Sequence, residues 1–212
     1  MVVHGATQMK EIFEDIIKHR RWQDVLCGTG STMAFTEPLR GNLKSFLEKH
    51  NLKSMLDAPC GDYSWMSKTE LPENFKYIGA DIVQSLVDSN KENYPGVEFY
   101  CIDLAKDALP DVDVLFCRDC LIHLSIADIK LVFGNIAKSN IQYIMLTNYH
   151  APSMGDIPTG GFRGTNFTVD PFNFEDPIES MLDWIPGTSN HNQKKDISLW
   201  HRSTIEKYLG RA

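Results

Sequence analysis

At 212 residues the chain is long enough to bury one full hydrophobic core in a single domain, with room for a small cap. Its 42% hydrophobic and 23% charged residues are ordinary for a soluble globular protein, and no stretch approaches the roughly 18 apolar residues of a membrane span. A net charge of −7 weighs against nucleic acid as the main partner, because phosphate neutralisation needs clustered Lys and Arg.

In chain order, Met1-Val2-Val3-His4-Gly5 lacks the charged-then-apolar pattern of a signal peptide, so a cytoplasmic location is the expectation. Met9, Ile12, Phe13, Ile16 and Ile17 recur at helical spacing, which predicts an amphipathic helix over 9–21. The basic cluster Lys18-His19-Arg20-Arg21 at its end complements the helix dipole as a solvated face. A Gly/Ser/Thr-rich loop follows at 28–32. A second helix is predicted from Glu37 to His50, with Thr36 as N-cap and Pro38 in its first turn.

From Lys53 the pattern alternates. Strands are predicted at 54–58, 76–81, 97–102, 112–117 and 141–147, and helices at 64–69, 83–93 and 125–138. The last helix opens on an acidic capping box, Ser125-Ile126-Ala127-Asp128. Such alternation implies right-handed crossovers and a parallel sheet with helices on both faces. Residues 150–176 are rich in Gly, Pro, Asn and Phe, too long for an ordinary connection and too aromatic for a disordered linker. Segments near 177–185 and 196–202 read as strands closing the sheet edge in a hairpin.

The five cysteines, at 27, 60, 101, 117 and 120, form no disulfide framework in a chain of this length. Cys117 and Cys120 have C-x-x-C spacing but no second pair to complete a metal site, so all five read as reduced and no metal is expected.

Ligands of doubly wound sheets sit at the carboxyl ends of strands, where strand order reverses. The strand ends here are Asp57 to Asp62, Asp81-Ile82, Asp103-Leu104, Arg118 to His123, and Asn148 to His150. Asp81 follows Asp57 by 24 positions, close to the roughly 20 expected of one strand–helix–strand crossover. The turn after Asp57 is not G-x-G-x-x-G: Pro59 and Cys60 stand where glycines would be. That departure points away from a pyrophosphate-bearing dinucleotide and towards a nucleoside without phosphate. Three successive strands ending in Asp exceed chance edge polarity, although Asp103 serves equally well as a helix cap.

The run Asp57-Ala58-Pro59-Cys60-Gly61-Asp62-Tyr63-Ser64-Trp65-Met66 resembles the first motif of the class I S-adenosylmethionine-dependent methyltransferases, in a Pro-Cys-Gly variant. The likeness spans residues 26–202. Gly30-Ser31-Thr32, Arg118-Asp119-Cys120-Leu121-Ile122-His123 and Pro171-Phe172-Asn173-Phe174 also resemble runs of a bacterial branch associated with polysaccharide or other secondary metabolism. The resemblance implies a Rossmann-like, mostly parallel seven-stranded sheet with an antiparallel edge hairpin, S-adenosylmethionine as cofactor and S-adenosylhomocysteine as product. It places residues 1–50 as a helical segment capping the cofactor site, 51–212 as the methyltransferase domain, and 150–176 as a substrate lid. It also implies that Asp57 and Gly61, with Ala58, Pro59 and Cys60 between them, line the methionine part. Asp81 and Ile82 take the ribose end, Asp103 the adenine amino group and Leu104 the adenine face. Ser31 and Thr32 reach the cofactor carboxylate, and Trp65 and Arg118 lie close enough to touch it.

Methyl transfer is an in-line displacement that needs chiefly a positioned nucleophile, and an alcohol also needs a base with pKa near 7. His123 is the candidate base, with Asp119 orienting it or acting in its place; a packing histidine is the alternative. Arg118 instead pairs with an acid if it does not meet the cofactor. In the 150–176 segment Arg163 and Asn166 are candidate substrate ligands. Phe162, Phe167, Phe172 and Phe174 form either an aromatic wall for the acceptor or a plug over the core. Trp65, Trp184 and Trp200 read as core, and His150 and His201 are isolated. The expected activity is O-methylation of a hydroxylated small molecule or saccharide, with no nucleic-acid or membrane partner. N-methylation of an amine, a non-catalytic binding module and a nicotinamide oxidoreductase are the competing readings.

Overall fold

A computed structural model describes residues 7–22, 26–185 and 194–211. The signal-peptide reading at Met1–Gly5 lies outside the described residues. The first helix, α1, runs Thr7–Lys18 and ends three residues earlier than predicted, where Arg20 takes a left-handed φ of 47°. Helix α2 spans Glu37–Lys49. Thr36 precedes it without capping it: its hydroxyl donates back to the Thr32 carbonyl at 3.0 Å.

The strands β1 (Ser54–Asp57), β2 (Lys76–Asp81), β3 (Glu98–Cys101), β4 (Val114–Cys117) and β5 (Tyr143–Tyr149) fall within a residue or two of their expected bounds. Helices α3 (Gln84–Asn93) and α4 (Ile126–Ile136) connect them. The helix expected at 64–69 is only a single 3-10 turn, Met66–Lys68. Strands β6 (Glu179–Leu182) and β7 (Lys195–His201) follow, and a helix not foreseen, α5 (Ser203–Arg211), ends the described chain.

All seven strands form one sheet in the order β3-β2-β1-β4-β5-β7-β6. The first five are parallel; β7 runs antiparallel to β5, and β6 antiparallel to β7. The hairpin closes the sheet as expected, with β7 inserted beside β5. Strand order reverses between β1 and β4, whose residues 55–57 and 114–117 are wholly buried. Burial on both faces explains why these strands read as continuous apolar runs.

Alternate residues feed two cores. Leu56, Leu115 and Ile144 join Ile129, Val132 and Phe133 of α4 on one face. Met55, Val114, Phe116 and Met145 join Leu39, Leu43, Phe46 and Leu47 of α2 on the other. No helix of the described residues is long and apolar enough to cross a membrane.

The start of α4 shows how the 150–176 segment is tied down. Ser125 Oγ accepts the Asp128 N–H at 3.1 Å, as its capping motif predicts. The reciprocal bond runs through Thr159, whose hydroxyl donates to the Asp128 carboxylate and accepts the Ser125 N–H at 3.0 Å. Gly160 and Arg163 then donate their backbone N–H to the His123 and Ile122 carbonyls, at 2.8 and 3.0 Å.

Candidate active site

A cavity of about 710 Å³ opens at the carboxyl ends of β1, β2, β4 and β5. This is the crevice where strand order reverses, the site that open α/β sheets offer to ligands. Beyond the strand ends, it is lined by Phe13 and Ile17 of α1, by Trp22, by the loop 27–31, by Phe162 and by Lys195 of β7.

One end is built on the turn after β1. Its backbone is stitched to both neighbours: Ala58 N–H donates to Phe116 O at 3.0 Å, and Cys60 N–H to Ala80 O at 2.7 Å. Gly61 has φ 57°, and a Cβ there would stand 3.0 Å from Cys27 Sγ, so no side chain fits without displacing the 27–31 loop. Asp81, at the end of β2, accepts the Gly61 N–H at 3.1 Å on one oxygen and the Val83 N–H at 3.0 Å on the other. Burial pushes its carboxyl up to about 6, against the pull of those backbone donors. Burial likewise raises Asp57 to about 7, opposed by a 2.6 Å bond from Tyr77 Oη and by the Arg118 charge. Burial raises the Cys27 thiol to about 12, which makes it a poor nucleophile.

The middle of the cavity carries a buried ion cluster. Arg118 donates to both oxygens of Asp183, at 2.9 and 3.0 Å, and to the Gly30 carbonyl at 2.9 Å, with its guanidinium over the Trp65 ring. Lys195 Nζ lies 3.1 Å from Asp183 and 2.6 Å from Asp119. Burial works against each charge. For Asp119, however, Lys195 and then Arg118 outweigh it and hold the carboxyl far below the ordinary carboxylate range. For Arg118, Asp183 and Asp119 outweigh it and raise the pKa further. Asp119 sits at φ 51°, and a Cβ on Gly30 would meet its Oδ2 at 2.9 Å, so this corner also requires glycine.

His123 occupies the far end. Its Nδ1 donates to the Gly161 carbonyl at 2.7 Å, which fixes the neutral tautomer with a lone pair on Nε2. Among the described residues nothing hydrogen-bonds Nε2. Burial lowers the histidine's pKa, partly opposed by the Gly161 bond and the Asp119 charge. The ring stacks on Trp22 at 5.2 Å and meets Phe162 at 6.0 Å.

Solved structures share this architecture. Over 92% of the chain it superposes on 99% of magnesium protoporphyrin IX methyltransferase from Synechocystis PCC 6803, determined with bound SAH, at 16% identity and a TM-score of 0.60. A SAM-dependent methyltransferase of Leishmania major matches over 92% of this chain and 82% of its own, at 12% identity and TM-score 0.63. The N-methyltransferase NodS of Bradyrhizobium japonicum matches over 79% and 96%, at 10% identity and TM-score 0.57. The fold is that of the class I methyltransferases. No family model matches the sequence, and no curated protein matches it.

Within this methyltransferase fold, Ser31, Asp57, Pro59, Cys60, Gly61, Trp65, Asp81, Ile82, Arg118, Asp119 and His123 all line the cavity. Thr32 and Ala58 do not. The Thr32 hydroxyl turns to the Thr29 carbonyl at 3.0 Å, and Ala58 is buried beneath the turn.

Asp103 and Leu104 also lie outside the cavity, contrary to the adenine contacts expected of them. Asp103, Ile102 and Leu104 are buried, and α1 approaches the end of β3 where Lys10 Nζ lies 3.8 Å from Cys101 Sγ. Asp103 acts there as a turn cap: it accepts the Ala105 N–H at 2.9 Å and pairs with Lys106 at 3.2 Å. Asp119 does not orient His123, because Gly161 does, and its depressed pKa makes it a poor base.

The expected substrate ligands are corrected as well. Arg163 is buried and donates to the Leu124 carbonyl, while Asn166 binds the Ala151 carbonyl at 2.6 Å. Phe172 and Phe174 pack with Phe133, Phe167, Trp200 and Tyr208 in the core, which settles them as a plug. Only Phe162 of that aromatic set faces the cavity, and it is 60% exposed. Trp22 and Lys195 were not foreseen and join the site through tertiary contacts that no local spacing encodes, whereas Tyr149 belongs to the strand end Asn148 to His150 that the sequence singles out.

Proposed function

We propose that the protein is an S-adenosylmethionine-dependent methyltransferase that O-methylates a hydroxylated small molecule or saccharide and releases S-adenosylhomocysteine. The observation that carries this reading is a single cavity holding the buried Asp81 carboxylate at one end and His123, with Nε2 open, at the other.

The lining fits the cofactor. Its charged side chains are Asp57, Asp62, Asp81 and Asp119 against Arg21, Arg118 and Lys195. The buried cations Arg118 and Lys195 are already paired with Asp183 and Asp119, and Arg21 with Asp15. That balance leaves no unpaired cation for a phosphate and suits a ligand bearing a sulfonium charge. When bound, the cofactor supplies a methyl carbon already activated for displacement. Asp81 accepts the ribose hydroxyls, and Ile82, Val83 and Leu86 supply an apolar surface for the base. Asp57 and the Gly61 turn hold the methionine part. The Ser31 hydroxyl donates to the Gly28 carbonyl at 2.7 Å, so its oxygen is left as an acceptor for the cofactor's amino group and not as the donor expected for its carboxylate. The residues of α1 and of 27–31 close this end, consistent with residues 1–50 as its cap. His123 takes the acceptor's proton on Nε2, the only ring nitrogen left free by the Gly161 bond.

Calorimetry with S-adenosylmethionine tests the site. Asp81→Ala removes a charged acceptor and is expected to weaken binding about 10–100-fold. Undiminished affinity sinks the ribose assignment. His123→Ala is expected to bind the cofactor normally and to lose about 10²–10⁴-fold in turnover; near-normal turnover would instead mean N-methylation of an amine.

A further inference from the structure

The space beside His123 is walled by rings. Phe13 meets Trp22 at 6.3 Å, Trp22 stacks on His123 at 5.2 Å, His123 meets Phe162 at 6.0 Å, and Phe162 meets Tyr149 edge-on at 6.4 Å. All five line the cavity, with Ile122 and Cys120 between them. Phe162 is 60% exposed, a large apolar side chain held at the mouth with one face in water. Polar groups able to grip an array of sugar hydroxyls are scarce here. Asp119 and Lys195 satisfy each other, and Asn166 binds the protein's own backbone. Arg163, which does not line the cavity, donates from Nη1 to the Leu124 carbonyl and buries Nε and Nη2 without a partner among the described residues. Among the rings themselves the polar atoms are Nε2 of His123, the indole N–H of Trp22 and the hydroxyl of Tyr149, a residue 6% exposed.

We propose that the acceptor is a planar aromatic alcohol, one or two rings carrying a phenolic hydroxyl, packed against the wall formed by Trp22, His123 and Phe162 with that hydroxyl at Nε2 of His123. This rests on the methyltransferase reading above. Flat rings pack on a ring-lined wall by offset or edge contacts that non-planar sugars make less well. Base strength points the same way. A phenolic hydroxyl ionises near pH 10, whereas an aliphatic hydroxyl lies much nearer water's 15.7. A buried histidine, itself weaker as a base than free imidazole, faces a deficit several orders of magnitude smaller with the phenol. In the step, the acceptor oxygen forms its bond to the methyl carbon as the carbon–sulfur bond breaks and its electron pair stays on sulfur. The phenolic proton passes to Nε2 and then to solvent. Tyr149 Oη is placed to donate to a second oxygen on the ring.

The test is incubation of the protein and S-adenosylmethionine with phenol, catechol and 2-naphthol, with methyl glucoside and methyl mannoside, and with benzylamine. Products are read by mass spectrometry, and cofactor binding is measured separately by calorimetry. Methyl ethers of the phenols are expected, and none of the glycosides. Phe162→Ala is expected to raise the KM for the phenol about three- to tenfold with cofactor affinity unchanged, and Phe162→Tyr to restore it. Methylation of a glycoside or of benzylamine in preference to the phenols overturns the proposal. So does cofactor binding with no phenol turned over. Failure to bind the cofactor at all overturns the methyltransferase reading itself, and this assignment with it.

Discussion

Lys195 Nζ lies 2.8 and 2.6 Å from the two carboxylate oxygens of Asp119, joining the start of β7 to the loop after β4 across 76 residues of chain. The contact ties the last inserted strand to the loop that carries His123. It also leaves Asp119 ionised and occupied. Asp119→Asn removes one charge from a cluster of two acids and two bases and leaves Arg118 and Lys195 to share Asp183 alone. The expected loss is about 3 kcal/mol of stability, at the low end for a broken buried pair because Asp119 still meets the cavity. Urea midpoints measure it, and the double variant Asp119→Asn/Lys195→Met is expected to recover most of the loss.

The rate should report His123 rather than Asp119. Burial disfavours the imidazolium, so the neutral base persists to lower pH than in free imidazole. The acid limb of kcat/KM is therefore expected to have its midpoint below 6.5, and to move to still lower pH in Asp119→Asn, because the Asp119 charge favours the imidazolium. A limb that survives in His123→Ala and disappears in Asp119→Asn would show that the carboxylate takes the proton.

Asp57 makes stability fall as pH rises. The folded chain keeps its proton up to about pH 7, whereas an unfolded aspartate releases it near 3.9. Between those values the folded state binds more protons, so the contribution declines with pH, by up to about 4 kcal/mol above pH 7. Asp57→Asn keeps an acceptor for Tyr77 Oη and removes the titration. Its stability relative to the parent is expected to climb from pH 4 to pH 7 and then level off, as thermal melts across that range would show.

Phe172 and Phe174 belong to the core and not to the acceptor site. Truncation of either to Ala is expected to cost about 3–5 kcal/mol while leaving cofactor affinity unchanged well below the melting temperature. Phe162→Ala is expected to leave the melting temperature within about a degree, because the side chain is mostly in solvent. A destabilised Phe162→Ala would place that ring in the core after all.

The strand–helix alternation from Lys53 to Tyr149 was legible because each parallel strand buried on both faces is an apolar run, and each crossover helix carries its own periodicity. The same local logic placed Asp57, Asp81 and His123 at strand ends, and all three reach one cavity. The lid residues were not legible. A phenylalanine in a Gly/Pro-rich loop has the same sequence signature whether it faces ligand or core, and only the packing of Phe133, Trp200 and Tyr208 drew Phe172 and Phe174 inward.

Local pattern was enough for the parallel strands, the turn after β1 and the carboxylates that follow it, since these depend on contacts within one strand–helix–strand unit. The tertiary structure decided which strand ends stay open. Asp103 turned to the Ala105 N–H and Lys106, β7 brought Lys195 to occupy Asp119, and Trp22 stacked on His123. The last two of those outcomes depend on burying apolar surface or pairing charge between segments far apart in the chain, and no local periodicity records such a partner.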